Sequence, residues 1–154
     1  MRLGLVLLAL VGATASAGPA KKTTIKVLQH PTPACGGAVR PPLPPGAKPP
    51  KDTPAARVSF VLRKGKKNSS AAVAAEVTTD DAGQFTATLP RGTYCLVTVD
   101  KRDVEAEPGA NIDRRCFYDW IQTCDAVITA PTRRGHIAID RPCMSPCYNG
   151  PKPP

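Results

Sequence analysis

Residues 78 to 100 read TTDDAGQFTATLPRGTYCLVTVD, and this stretch decides the fold. Asp80-Asp81-Ala82-Gly83 is a turn: Asp closes it through its side chain and Gly supplies a positive φ. Gln84 to Leu89 then alternates, with Phe85, Ala87 and Leu89 on one face. Pro90-Arg91-Gly92 turns again, Pro fixing φ and Gly closing. Thr93 to Asp100 follows, with Tyr94, Leu96 and Thr98 on one face and Cys95, Val97 and Val99 on the other. The whole is a β-hairpin. Both faces of its last strand are apolar, so that strand is expected to be covered on both sides.

Working outward, Lys21 to Gln29 alternates around Ile25 and Val27 and suits a first strand. Ala34 to Arg40 suits a short second one, with two glycines that suggest a bulge. Residues 41 to 54, PPLPPGAKPPKDTP, hold seven prolines. Such a stretch lacks ladder donors and reads as a polyproline or exposed loop. Arg57 to Arg63 is a strand with Val58, Phe60 and Leu62 on one face. Ala71 to Thr79 has helix-forming alanines but keeps a period of two, and it is read as a strand. Asn68-Ser69-Ser70 is a formal glycosylation sequon. Lys101 to Asp113 reads as a charged loop. Asp125 to Thr129 and His136 to Asp140 read as short strands joined by Pro131 to Gly135. Cys116 to Cys124 gathers three of the seven aromatic residues. That segment and the Pro-broken tail are the candidate cover for the Cys95 face.

The first seventeen residues read as a secretory signal. Arg2 supplies the charge, Leu3 to Val11 the apolar run, and Ala15-Ser16-Ala17 the small-residue cleavage site. Residues 18–140 are then a single β-sandwich domain with a Pro-rich loop at 41–54, and residues 141–154 a Pro-rich tail tied by cysteines. The chain is expected to be secreted, or periplasmic within the cell envelope. The Ala-, Pro- and Arg-rich usage points to a bacterial source.

Cys35, Cys95, Cys116, Cys124, Cys143 and Cys147 are an even set behind a secretory signal, which reads as three disulfides. Fifteen pairings are open. A bridge from Cys95 is expected to reach Cys116, Cys124 or the tail pair. Zinc sites usually use Cys-x2-Cys knuckles, whereas Cys143 and Cys147 enclose three residues. No metal or cofactor site is expected.

The formal net charge is +9. Its basic residues are spread over Lys21-Lys22, Arg63-Lys64, Lys66-Lys67, Arg114-Arg115 and Arg133-Arg134. A basic surface favours anionic partners. No aromatic residues interleave with these clusters, which argues against specific nucleic-acid binding.

The turn and core residues around the hairpin resemble the carboxypeptidase regulatory-like module, a transthyretin-like (prealbumin-like) β-sandwich. The matching string is Thr79-Asp80, Gly83, Phe85, Leu89-Pro90, Gly92, Tyr94 and Leu96. Val58 to Leu62 resembles the strand before that hairpin, and Cys35 to Val39 its opening strand. The resemblance implies an all-β prealbumin-like sandwich of about seven strands, here with a disulfide-tied C-terminal extension. It also implies a noncatalytic accessory module of secreted and envelope proteins.

Catalytic patterns are thin. The Tyr-Arg-Gly-Ser ending of the related hydroxyisourate hydrolases is replaced by Tyr148-Asn149-Gly150-Pro151. The two-Tyr, two-His iron set of intradiol dioxygenases is not matched by the spacing of His30, His136 and the tyrosines. No serine carries a nucleophile turn, and the even cysteine count leaves no thiolate nucleophile. The carboxylates Asp100, Asp103, Glu105, Glu107 and Asp113 lack calcium-loop spacing. No enzyme is therefore expected, and no catalytic residue is assigned. The leading expectation is a noncatalytic module that binds an extracellular protein or an anionic envelope or glycan component, or serves a structural role. The alternative is a disulfide-rich inhibitor or effector that uses residues 116–147.

Overall fold

The computed structural model describes residues 18–31, 46, 48, 51–140 and 147–150. Eight strands form two four-stranded sheets packed face to face. The first sheet contains β1 (Lys21–Gln29), β2 (Thr53–Pro54), β5 (Gln84–Leu89) and β8 (Gly135–Ile139). The second runs in the order β4 (Val73–Thr78), β3 (Ser59–Lys64), β6 (Gly92–Thr98) and β7 (Ala126–Ala130).

β1 is the centre of the first sheet. Residues 21–26 pair with β5, and residues 28–29 with β2, both antiparallel. Its other edge pairs with β8, which runs parallel. The expected strands at 125–129 and 136–140 are therefore neighbours in sequence but lie in different sheets. The chain passes between them through a cis Ala130–Pro131 peptide.

Alternation fills the space between the sheets. Ile25, Val27, Phe85 and Leu89 face Phe60, Leu62, Tyr94, Leu96 and Ile128, all buried. The Phe60 and Phe85 rings lie 6.5 Å apart. Each such side chain stabilises the fold by about 1.5–3 kcal/mol on burial. The Tyr94 hydroxyl donates to the Pro90 carbonyl at 2.8 Å, which satisfies the polar end of a core ring. Burial pushes its phenol pKa up.

The expected hairpin is corrected: β5 pairs with β1 in the first sheet and β6 with β3 and β7 in the second, so the turns at Asp80 and Pro90 carry the chain between sheets. The turns themselves form as their chemistry requires. Asp80 Oδ1 accepts from the Ala82 and Gln84 amides at 3.0 and 2.8 Å. Gly83 has φ of +74°, and a Cβ there would meet the Val27 carbonyl oxygen at 2.6 Å. β1, the return at Ala55 and the turn into β5 converge on that one glycine.

The Pro-rich loop needs a correction at its end. Thr53 and Pro54 belong to the first sheet, opposite Gln29 and Leu28. Pro54 cannot donate, but it lies in a two-residue strand and the next amide, Ala55, donates to the Val27 carbonyl at 3.0 Å. This short strand raises the count from about seven to eight. The strand expected at 34–40 lies outside the described residues.

The segment after Asp100 is also more ordered than its composition suggests. Val99–Lys101 form a 3-10 turn, and Arg114–Gln122 form a helix, α1. Asp113 caps α1: its Oδ1 accepts from the Cys116 amide at 2.7 Å. Ile121 is buried, while Phe117, Tyr118 and Trp120 are half-buried.

Candidate functional site

The two outer faces of the sandwich differ. On the second sheet Val61, Cys95 and Val97 point away from the main core yet are fully buried. Cys124 packs on them and bridges to Cys95. Cys116 at the start of α1 bridges to Cys147 in the tail. The tail then pairs Tyr148 with Ile112, and the Asn149 amide donates to the Asn111 carbonyl at 2.9 Å. Two bridges thus join four of the six expected cysteines. Cys35 and Cys143 lie outside the described residues.

Charged and polar groups lock this cover down. Lys101 is 4% exposed. Its Nζ donates to Asp125 Oδ1 at 2.6 Å and to the Thr123 carbonyl at 3.1 Å, and it sits 4.8 Å from the centre of the Trp120 ring. The other Asp125 oxygen accepts from the Thr98 amide at 2.7 Å. Asn68 is 1% exposed, and its Nδ2 donates to the Lys101 and Ile121 carbonyls at 2.6 and 2.8 Å. The sequon therefore holds a bracing amide, and the folded chain does not present Asn68 for glycosylation. Arg63 is buried too, donating to the carbonyls of Ala71 and Arg102. The Arg63-Lys64 pair thus contributes one surface charge instead of two.

The acidic loop is engaged locally. Asp113 caps α1, Asp103 closes its own turn onto the Glu105 amide, and Glu107 meets Arg114 at 3.0 Å. Among the described residues, no group of three or more His, Cys, Asp or Glu side chains converges as metal ligands would.

The outer face of the first sheet carries no such cover among the described residues. Strand alternation turns Lys22, Thr24, Lys26 and Leu28 of β1 outward. Opposite them stand Thr88, Thr86, Gln84 and Pro54. Across the other edge, His136 stands opposite Lys26 and Ala138 opposite Leu28. The outward positions of β1, β5 and β8 include no Asp or Glu. Thr24 and Thr86 join hydroxyls at 3.1 Å. Of the carboxylates around it, Asp80 holds its own turn, Asp81 takes Arg57 Nε at 2.7 Å, and Asp52 and Asp140 act on His30 at the far end of β1.

A depression of about 150 Å³ lies on this face. Thr24, Lys26, Gln84, Arg134, Gly135 and His136 line it. The turn that carries Arg134 is pinned by the Thr24 amide, which donates to the Thr132 carbonyl at 2.8 Å. Gly135 fits because a Cβ there would run into the Ile25 side chain. Sequence reasoning named Arg133-Arg134 and His136 but did not bring them to Lys26. Only the parallel pairing of β8 with β1 does so, and no short-range pattern encodes that pairing.

At the far end of β1, His30 Nδ1 lies 2.8 Å from Asp52 Oδ1. Through that hydrogen bond, and then its charge, Asp52 pushes the His30 pKa up from its ordinary 6.5. The contact pins together the two ends of the Pro-rich segment.

No protein-family model and no curated protein matches the chain. Among solved structures it is similar to the shaft pilin SpaA of Lactobacillus rhamnosus GG, at 17% identity and a TM-score of 0.40, over 80% of this chain and 51% of that one. It is similar to GBS52, the minor pilin of Streptococcus agalactiae, at 13% identity and a TM-score of 0.38, over 88% of this chain and 48% of that one. The N-terminal domain of the same shaft pilin SpaA gives 16% identity and a TM-score of 0.37, over 85% and 99%. The chain spans about half the length of the first two. Likeness at this level carries no argument about partner or activity.

Proposed function

We propose that this chain is an exported, noncatalytic β-sandwich module that holds an anionic polymer of the cell envelope on the outer face of its first sheet. One observation carries the reading. Among the described residues, the face without a cover presents Lys22, Lys26 and Arg134 with no carboxylate on its strands, while the opposite face is closed by a disulfide-tied cover. A surface of one sign attracts a polyanion, and many weak contacts add along it. The two disulfides suit an oxidising compartment, in keeping with the leader-like N-terminus.

The carboxypeptidase regulatory-like resemblance supports the same reading. Its key residues have in this chain the roles the motif assigns: Gly83 in the left-handed turn, Phe85, Tyr94 and Leu96 in the core. The resemblance implies an accessory module that serves folding, adhesion or association, and adhesion is the role this reading takes up.

Retention on immobilised dextran sulfate at about 0.15 M salt tests the proposal, since screening removes weaker long-range attraction there. The variant Lys22→Ala/Lys26→Ala/Arg134→Ala is expected to elute early. The variant Lys64→Ala/Lys66→Ala/Lys67→Ala removes the same charge from the second sheet and its loop, and it is expected to be retained. Equal loss in both would mean that net charge alone binds, and the reading would fall.

A further inference from the structure

We infer that the depression beside Lys26 seats a single tetrahedral oxyanion, the phosphate or sulfate group of an anionic polysaccharide lying across the first sheet. The inference rests on the proposed reading of that face as the contact surface.

The lining gives the chemistry. Lys26 lies on the central strand, flanked in register by Gln84 on one side and His136 on the other. Neighbouring strands lie about 4.8 Å apart, so the three side chains stand abreast across roughly two strand spacings. Arg134 enters from the turn above β8, and Thr24 adds a hydroxyl from the next outward position of β1. Donors therefore approach from three strands and a turn. A planar carboxylate is satisfied by one arginine fork. A cup with donors on several sides suits an anion that accepts in several directions.

Size and floor agree. The depression of about 150 Å³ holds the volume of about five waters at about 30 Å³ each, room for one oxyanion with part of its hydration. Gly135 lines the depression between Arg134 and His136, and its Cβ position faces Ile25 on the core side. The six lining residues include no carboxylate to repel the ligand.

The surroundings select the polymer. The outward positions of β1, β5 and β8 carry no Phe, Tyr or Trp, and their single imidazole, His136, lines the depression itself, so no row of rings offers successive bases a stack. These positions offer the hydroxyls of Thr24, Thr86 and Thr88 and the amide of Gln84, which match sugar hydroxyls. Lys22 lies four residues from Lys26, about 13 Å along the strand, and would meet a later charge of the same polymer.

Titration of the isotope-labelled chain with inorganic phosphate, followed by NMR at the Gly135 amide and the His136 ring, tests the seat. Phosphate is expected to give saturable shifts at both, while acetate at equal ionic strength gives none. Lys26→Ala is expected to weaken phosphate by about tenfold or more, the effect of losing a charged hydrogen bond, and Lys66→Ala, on the loop after the second sheet's β3, to leave it unchanged. Arg134→Lys keeps the charge without the fork and is expected to fall between. Unchanged melting of each variant separates binding from folding. Equal shifts with acetate, or equal losses from Lys66→Ala and Lys26→Ala, would overturn the seat. If dextran sulfate is still retained through this face, the seat alone falls. If retention also fails, the proposed function falls with it. Retention of single-stranded DNA at equal charge and salt, and not of dextran sulfate, would overturn the polysaccharide assignment.

Discussion

The two outer faces of this sandwich show opposite uses of polar residues. On the second sheet, charge is turned inward. Lys101, Asp125, Asn68 and Arg63 are buried or nearly so, and each binds a specific partner. They fix a disulfide-tied cover over Val61, Cys95 and Val97. On the first sheet, charge stays in solvent and Lys22, Lys26 and Arg134 form no ion pair among the described residues. A buried charge is committed to folding, because leaving it unpaired is costly. A solvated charge costs folding little and stays available to a partner.

Breaking the closed face should therefore cost stability, and breaking the open face should not. The largest effect is expected from Lys101→Met, which strands Asp125 at low exposure. It should lower unfolding stability by about 3–5 kcal/mol, read by urea titration, and Asp125→Asn in the same chain should restore much of that. If Lys101→Met alone is neutral, the lock is not what holds the cover. Next is Cys95→Ala/Cys124→Ala. Loss of the bridge should cost about 2–4 kcal/mol and expose Val61 and Val97, which increased dye binding would report. Asn68→Ala follows, at about 1–3 kcal/mol for two orphaned carbonyls. In a eukaryotic secretory host, a glycan on Asn68 should occur only in molecules that lack the native cover, a pattern that glycosidase digestion and limited proteolysis together would show.

The open face should behave differently. Lys22→Ala, Lys26→Ala and Arg134→Ala should each shift stability by less than about 0.5 kcal/mol, while the three together remove retention on the anionic matrix. The smallest effect belongs to the His30–Asp52 contact. Its folded pKa stands above 6.5, so its contribution is complete below that value and fades as pH rises through the folded value. Melting of the native chain should fall relative to Asp52→Asn as pH rises from 6 to 8. Parallel melting curves would show that the contact contributes nothing.

The closed and open faces were unequally legible in the sequence. Phe85, Leu89, Tyr94 and Leu96 declared their faces by alternation, and Cys95 and Val97 announced a second covered face. The nature of that cover was hidden. Asp113 before Arg114 was a usable capping signal, but α1 is nine residues long, lies among strands and buries Ile121 alone completely. Lys101 and Arg63 look like solvent charges until the chain brings Asp125 and two carbonyls to them. The depression was the least legible part. Lys26 and Arg134 are far apart in sequence, and their meeting depends on which strand β8 joins.

The pinned base of the Pro-rich segment has a consequence for how this chain can change. His30 and Asp52 touch, Ala55 bonds to Val27, and Gly83 locks both strands from beneath. These contacts join β1 to the returning chain at residues 52–55. Lengthening the stretch beyond Cys35 costs only about 0.6 kcal/mol per doubling. A change in chain length between residues 36 and 50 is therefore expected to leave this junction in place, which the melting of an insertion variant would check.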